Sequence, residues 1–286
     1  MTTTRHSIFD QSASRAEAAV MGHYGSEGLI ARVFDALRAA GIDPDAMGPD
    51  DLVPLEHMHT GGINATRRVL SALRPEPGQH LVDIGCGIGG VARAAARGHG
   101  ARVTGIDLTT DFVELATELS RRTGLGQLTG FLVGSALRLP LAECSADCAV
   151  LMHVGMNIED KERMFSEAFR ILRPGGKLAL CDIMLGPLAE PLAYPVPWAA
   201  TAETSHLATP EAYRDLAVDA GFAPISELDY YTETLSAAPI ARAEPGFQPL
   251  GPHLLMGPDA RRKIANHRAN LDAGRVLPVQ MVFARP

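Results

Sequence analysis

A doubly wound α/β sheet is the fold class this sequence predicts, and three observations predict it. Apolar runs of strand length at about 80–84, 102–106, 129–133, 147–152 and 177–183 alternate with helical patterns at about 89–98, 110–122 and 159–172, which implies parallel strands joined by crossover helices. The first run, His80-Leu81-Val82-Asp83-Ile84, leads directly into Gly85-Cys86-Gly87-Ile88-Gly89-Gly90, a strand followed by a tight turn and a helix start. The second, Arg102-Val103-Thr104-Gly105-Ile106, ends on Asp107, an acidic residue at a strand tip. In such sheets ligands bind beyond the carboxyl ends of the strands.

Glycines at alternate positions allow positive φ and let a ligand approach the main-chain N–H groups of a helix start. Gly85-x-Gly87-x-x-Gly90 also satisfies the dinucleotide fingerprint, so the turn by itself predicts only a nucleotide-like cofactor. Asp83 argues against a pyrophosphate, which its carboxylate would repel. S-adenosylmethionine has no phosphate, and its α-ammonium and sulfonium favour a nearby acid. Asp107 suits the ribose of either cofactor.

Ahead of this core, Val20, Leu29, Ile30, Val33, Phe34 and Leu37 are spaced as two helices divided near Gly22 to Gly25 and ended by Ala40-Gly41. Turn signals at Asp43-Pro44-Asp45 and Gly48-Pro49-Asp50 follow, and His57-Met58-His59-Thr60-Gly61-Gly62 opens a helix carrying Ile63, Val69, Leu70 and Leu73. Residues 1–74 are therefore expected as a helical cap or lid, and 75–286 as the core. His57 and His59 lack a third ligand at metal spacing, so no metal is expected. After the fifth strand, Gly186 to Trp198 holds four prolines and the single tryptophan. A helix is excluded there by missing donors and fixed φ, so an insertion is expected near 186–208. Thr209-Pro210-Glu211 caps a helix closing at Ala220-Gly221, and Ile225 to Thr232 alternates as a strand. A second Pro/Gly-rich insertion lies near 238–258, followed by a helix over about 258–271 and a strand over Val276 to Phe283.

The 286 residues suffice for one large domain or a domain with an embellishment, and 46% hydrophobic with 21% charged residues is a globular composition. A net charge of −7 without a basic run disfavours nucleic acid as a partner. Cys86, Cys144, Cys148 and Cys181 show neither zinc nor disulfide spacing. The first residues lack the apolar core of a signal peptide, and no apolar run reaches the roughly 20 residues of a membrane span. A cytoplasmic location is expected, with a homodimer left open.

With Asp83, Gly85, Gly87, Gly89 and Asp107 in place, and with Glu167 to Leu178 reading as a helix, an Arg-Pro-Gly-Gly turn and a fifth strand, the chain resembles the class I S-adenosylmethionine-dependent methyltransferases. His59-Thr60-Gly61-Gly62, His153 to Ile158 and Pro195-Val196-Pro197-Trp198 are most similar to the sarcosine/dimethylglycine N-methyltransferase-like group. The resemblance implies a Rossmann-like, seven-stranded, mostly parallel sheet with an antiparallel last strand, and S-adenosylhomocysteine as product. It also implies cofactor contacts from His59, Thr60, Asp83, Gly85, Gly87, Gly89, Asp107, Leu108, Ser135, Ala136 and Met152. Ser135 stands where an Asp is common, and accepts one hydrogen bond without charge. Tyr24, Asn157 and Trp198 are the expected acceptor contacts; His153 is the first candidate base and His206 the second. The activity implied is in-line methyl transfer to a small-molecule acceptor, with an amine expected and O- or C-methylation kept as the alternative. A non-catalytic cofactor-binding module is the reading from another class.

Overall fold

The computed structural model describes residues 15–24, 28–57, 59–188, 190–230, 249–251 and 253–286. Seven strands form one sheet: β1 (His80–Ile84), β2 (Arg102–Asp107), β3 (Thr129–Val133), β4 (Ala146–Met152), β5 (Leu172–Leu185), β6 (Ala223–Asp229) and β7 (Val276–Ala284). Their order is β3-β2-β1-β4-β5-β7-β6. β1 to β5 run parallel to their neighbours, whereas β7 lies antiparallel between β5 and β6. The helices are α1 (Arg15–Tyr24), α2 (Leu29–Ala39), α3 (Val53–Glu56), α4 (Gly62–Leu73), α5 (Gly90–His99), α6 (Thr110–Arg122), α7 (Lys161–Ile171), α8 (Pro210–Asp219), α9 (His253–Met256) and α10 (Ala260–Asp272).

Alternation along the strands sends side chains to two cores. Val82 and Ile84 join Leu151, Phe165, Leu180 and Phe283 on the face covered by α7 and α8. Leu81 joins Val69, Leu73, Ala92 and Val150 on the face covered by α4 and α5. By the same period Asp83 points to the α5 face, where it is 1% exposed. α4, within the segment expected as a cap, is thus part of the sheet's own helical layer.

What overhangs the carboxyl ends is the segment before α4. Leu29, Val33, Leu37, Leu52 and Leu55 pack on Ile88 of the glycine turn, on Phe112, Leu115 and Leu119 of α6, and on Leu250 and Leu255. The end of the second insertion therefore folds back onto α2. Its residues 238–248 and 252 lie outside the described residues. The first insertion is anchored by Val196, Trp198 and Ala199 against Met156, Ile183, Leu271 and Val276.

β5 begins earlier than its pattern suggests. The Arg-Pro-Gly-Gly turn does not precede the strand but interrupts it: Ala146 pairs with Leu172, the register shifts, and Cys148 pairs with Lys177. Gly175, at φ 80, donates its N–H to the Arg285 carbonyl at 2.8 Å, and the Arg285 N–H returns to Gly176 at 2.8 Å. The turn is therefore held by β7's end. α7 starts at Lys161, because the Asp160 side chain caps it by accepting the Arg163 N–H at 2.9 Å.

Candidate active site

Sheet order reverses between β1 and β4, so the loops leaving these strands diverge and open a crevice. A cavity of about 420 Å³ fills it. Gly85, Gly87, Asp107, Leu108, Ser135, Ala136, Met152, His153, Asn157 and Trp198 line it, as do His59 and Asp83.

The β1 turn needs its first glycine for two reasons. Gly85 sits at φ 74, and a Cβ there would lie 2.2 Å from Val154 Cγ2. The ends of β1 and β4 thus approach as closely as backbone allows. Beyond the turn, Asp107 Oδ2 accepts the Gly87 N–H at 2.8 Å and Oδ1 accepts the Thr109 N–H at 2.9 Å. Burial raises its pKa, opposed by those amides. Each oxygen retains a lone pair for a ribose hydroxyl. Behind the turn, the buried Arg93 guanidinium pairs with Glu56 and donates to the Ile88 carbonyl at 2.6 Å and to Ser120 Oγ at 3.0 Å. This pair ties the segment before α4 to the glycine turn.

Asp83 is the anomaly. Both carboxylate oxygens are buried without a hydrogen-bond partner. Burial, reinforced by the Asp107 charge, pushes the carboxyl up to about 7, with Ala92 and Arg93 pulling weakly the other way. A buried carboxylate left unpaired is costly, and a ligand cation removes the cost. The residues therefore fit S-adenosylmethionine: Asp83 would meet its ammonium, Asp107 would hold its ribose, and the β1 turn leaves room for it beside the backbone. When bound, that cofactor supplies a methyl group already activated on sulfur.

Opposite the glycine turn, β4 ends at Met152, and the following His153 adopts φ 59 and leads into a 3-10 turn over Gly155–Asn157. Asn157 Nδ2 donates to the Trp198 carbonyl at 2.7 Å, and Trp198 Nε1 donates to Ser205 Oγ at 2.9 Å. Both side chains border the cavity, but these hydrogen bonds build its wall. Underneath, Tyr213 donates its hydroxyl to the buried Asp182 at 2.8 Å, and Lys161 donates to the Ile158 carbonyl at 2.7 Å.

Four imidazoles gather on this side. The rings of His59 and His153 lie 5.6 Å apart, and those of His57 and His59 5.8 Å apart. The Thr66 hydroxyl sits 3.1 Å from His57 Nδ1 and 3.0 Å from His59 Nε2. Thr60 Oγ1 is 2.9 Å from Nε2 of His267, whose ring meets Trp198 edge-on at 5.3 Å. His153 Nε2 lies 3.5 Å from the Tyr230 hydroxyl. Burial pushes His59 down to about 3, His57 and His267 to about 4, and His153 well below its ordinary value. All four are neutral at pH 7.

Three expected residues stand apart from the cavity lining. Thr60 turns to His267, Gly89 shapes the turn at φ 86, and His206 serves through its backbone. The His206 N–H donates to the Met156 carbonyl at 2.9 Å, and its own carbonyl accepts from Lys161. Tyr24 ends α1, and its side chain lies outside the description. Conversely, sequence reading missed Glu17, which accepts the Ser135 hydroxyl; Arg93 with Glu56; and His267 with Tyr230. Among the described residues no group of three or more His, Cys, Asp or Glu could hold a metal, and no helix is long and apolar enough to cross a membrane.

Residues 82–180 match the family model described as a methyltransferase domain. An O-methyltransferase of Pyrenophora dematioidea is 33% identical over 132 residues, 46% of this chain and 49% of that protein. Phosphoethanolamine N-methyltransferase 1 of Zea mays is 32% identical over 131 residues, 46% of this chain and 26% of that protein. These matches span half or less of the relatives' own lengths. The structure of geranyl diphosphate C-methyltransferase from Streptomyces coelicolor A3(2), in complex with Mg2+, geranyl diphosphate and S-adenosyl-L-homocysteine, has a TM-score of 0.67 at 17% identity. It covers 96% of this chain and 99% of that chain, a likeness of fold. Val82 to Leu180 therefore carries this chain's likeness to a methyltransferase domain.

Proposed function

We propose that the protein transfers the methyl group of S-adenosylmethionine to a hydroxyl oxygen of a small molecule, with His153 as the base. The observation that carries this reading is the placement of His153 on the cavity wall, across from the glycine turn and in ring contact with His59. An amine needs only its neutral form, whereas a hydroxyl loses a proton as its oxygen bonds to carbon. His153 is unprotonated and free to accept that proton, and its burial, which weakens it as a base, favours an acidic hydroxyl such as a phenol. The relative from Pyrenophora named an O-methyltransferase agrees with it.

In this reading Asp83 and Asp107 bind the cofactor, Ser135 with Leu108 and Ala136 borders its base, and Met152 borders the reacting centre. His59, expected at the cofactor's amino-acid end, packs on His153 and is assigned to the acceptor. The wall of Trp198 and Asn157 excludes water and aligns the nucleophile. The amino-acid acceptor that the sarcosine/dimethylglycine resemblance implies lacks a counter-charge for its carboxylate among the described lining residues.

His153→Ala tests the reading. Against a panel of phenols, alcohols and amines, release of S-adenosylhomocysteine from hydroxyl acceptors is expected to fall by about 10²-fold or more at pH 7, with cofactor affinity unchanged. Turnover within about threefold of the parent at pH 9 would instead identify an amine acceptor.

A further inference from the structure

The charged side chains that line the cavity are Glu17, Glu56, Asp83, Asp107, Glu159 and Asp160. All are carboxylates, and among the described residues neither Lys nor Arg lines the cavity. Nearby cations are committed elsewhere: Lys161 donates to the carbonyls of Ile158 and His206, Lys263 to that of Met256, and Arg93 pairs with Glu56. An anionic group entering here loses its water and meets negative potential from the described lining residues.

Most of these carboxylates are already engaged: Glu56 is held by Arg93, Glu17 by the Ser135 hydroxyl, Asp107 by two backbone amides, and Asp160 by the α7 cap. Asp83 faces the cofactor's ammonium in the reading above. What remains toward the acceptor is apolar: Val20, Met156, Ile158, Pro197 and Trp198. Two neutral imidazoles interrupt it, His59 and His153, and His59 Nδ1 is buried without a hydrogen-bond partner. One hydroxyl satisfies that nitrogen, and an apolar skeleton covers the rest.

We infer that the acceptor is an apolar molecule presenting a neutral hydroxyl to the His59–His153 pair, and that the site rejects carboxylate and phosphate versions of the same skeleton. The inference rests on the methyl-transfer reading only for which end of the cavity receives the acceptor. Its test is binding rather than turnover, so it stands or falls apart from the choice of base.

The protein saturated with S-adenosylhomocysteine is titrated with matched sets of ligands on mono-, bi- and tricyclic aromatic and linear isoprenoid skeletons. Each skeleton is presented as the alcohol or phenol, the carboxylate and the phosphate ester. For the skeletons that bind, the neutral member is expected at least tenfold tighter than each anionic partner. Glu159→Lys should improve binding of the phosphate member at least threefold and leave the neutral member unchanged. An anionic member that matches or exceeds its neutral partner overturns the inference. So does a panel in which no neutral member binds by 1 mM.

Discussion

Titrating S-adenosylhomocysteine onto the protein between pH 5 and pH 8 reads the charge on Asp83. Without a ligand the carboxyl titrates at about 7, raised by burial and by Asp107. It is then about half ionised at pH 7, about 9% at pH 6 and about 1% at pH 5. A bound ammonium favours the ionised form, so the bound-state pKa drops, to below about 5 for a close pair. Affinity should therefore fall about fivefold from pH 7 to pH 6 and about fiftyfold to pH 5, a loss of roughly 2.3 kcal/mol. Binding should also release about half a proton at pH 7 and about 0.9 at pH 6, measured by calorimetry in buffers of different ionisation enthalpy. Asp83→Asn should flatten the profile and abolish the release. For the free protein the sign is opposite: the folded pKa lies above the unfolded one, so this group's contribution to stability is largest at low pH and is lost as pH rises through about 7. Affinity independent of pH from 5 to 7, with less than about 0.1 proton released at pH 6, would refute the assignment of Asp83 as the ammonium's counter-charge.

Two further outcomes follow from packing. Gly85→Ala adds a methyl group 2.2 Å from Val154 Cγ2 at a positive φ, and should cost about 2–5 kcal/mol and weaken the cofactor; Gly85→Ala/Val154→Ala should recover part of the stability but not the strain of φ, as thermal melts of all four proteins will show. Glu56→Gln leaves the Arg93 guanidinium buried beside a neutral amide and should cost about 3 kcal/mol by denaturant unfolding, with cofactor affinity falling because Arg93 also holds the Ile88 carbonyl.

That Asp83, Gly85, Gly87 and Asp107 gather at one cavity was legible because they are local in the chain. Asp83, Gly85 and Gly87 lie within one strand and one turn, and Asp107 ends the next strand, where the register Ile84↔Ile106 brings it alongside. The parallel core was legible for the same reason, since each strand and helix carries its own period. The acceptor half comes together from distant residues. Thr60 meets His267 across 207 positions, and His153 meets Tyr230 across 77. His267 sits in a polar helix whose pattern gives no sign of a cavity nearby. His206 misled because position along the chain near the proline-rich insertion is not position in space: its backbone braces the 3-10 turn. The Arg-Pro-Gly-Gly segment read as a turn ahead of the strand, yet backbone bonds to Arg285 carry the strand across it.

The place of β7 bears on how the protein comes off the ribosome. Among the described residues β6 has β7 as its only hydrogen-bonded neighbour, and β7 also completes β5. While residues 276–284 are still in the exit tunnel, β6 lacks that partner and β5 lacks its outer neighbour, although β1 to β4 can already pair. Synthesis can therefore pass through a state with the glycine turn, Asp83 and Asp107 assembled but the sheet unfinished. The cofactor end of the crevice can form before the last strand arrives to lock the edge.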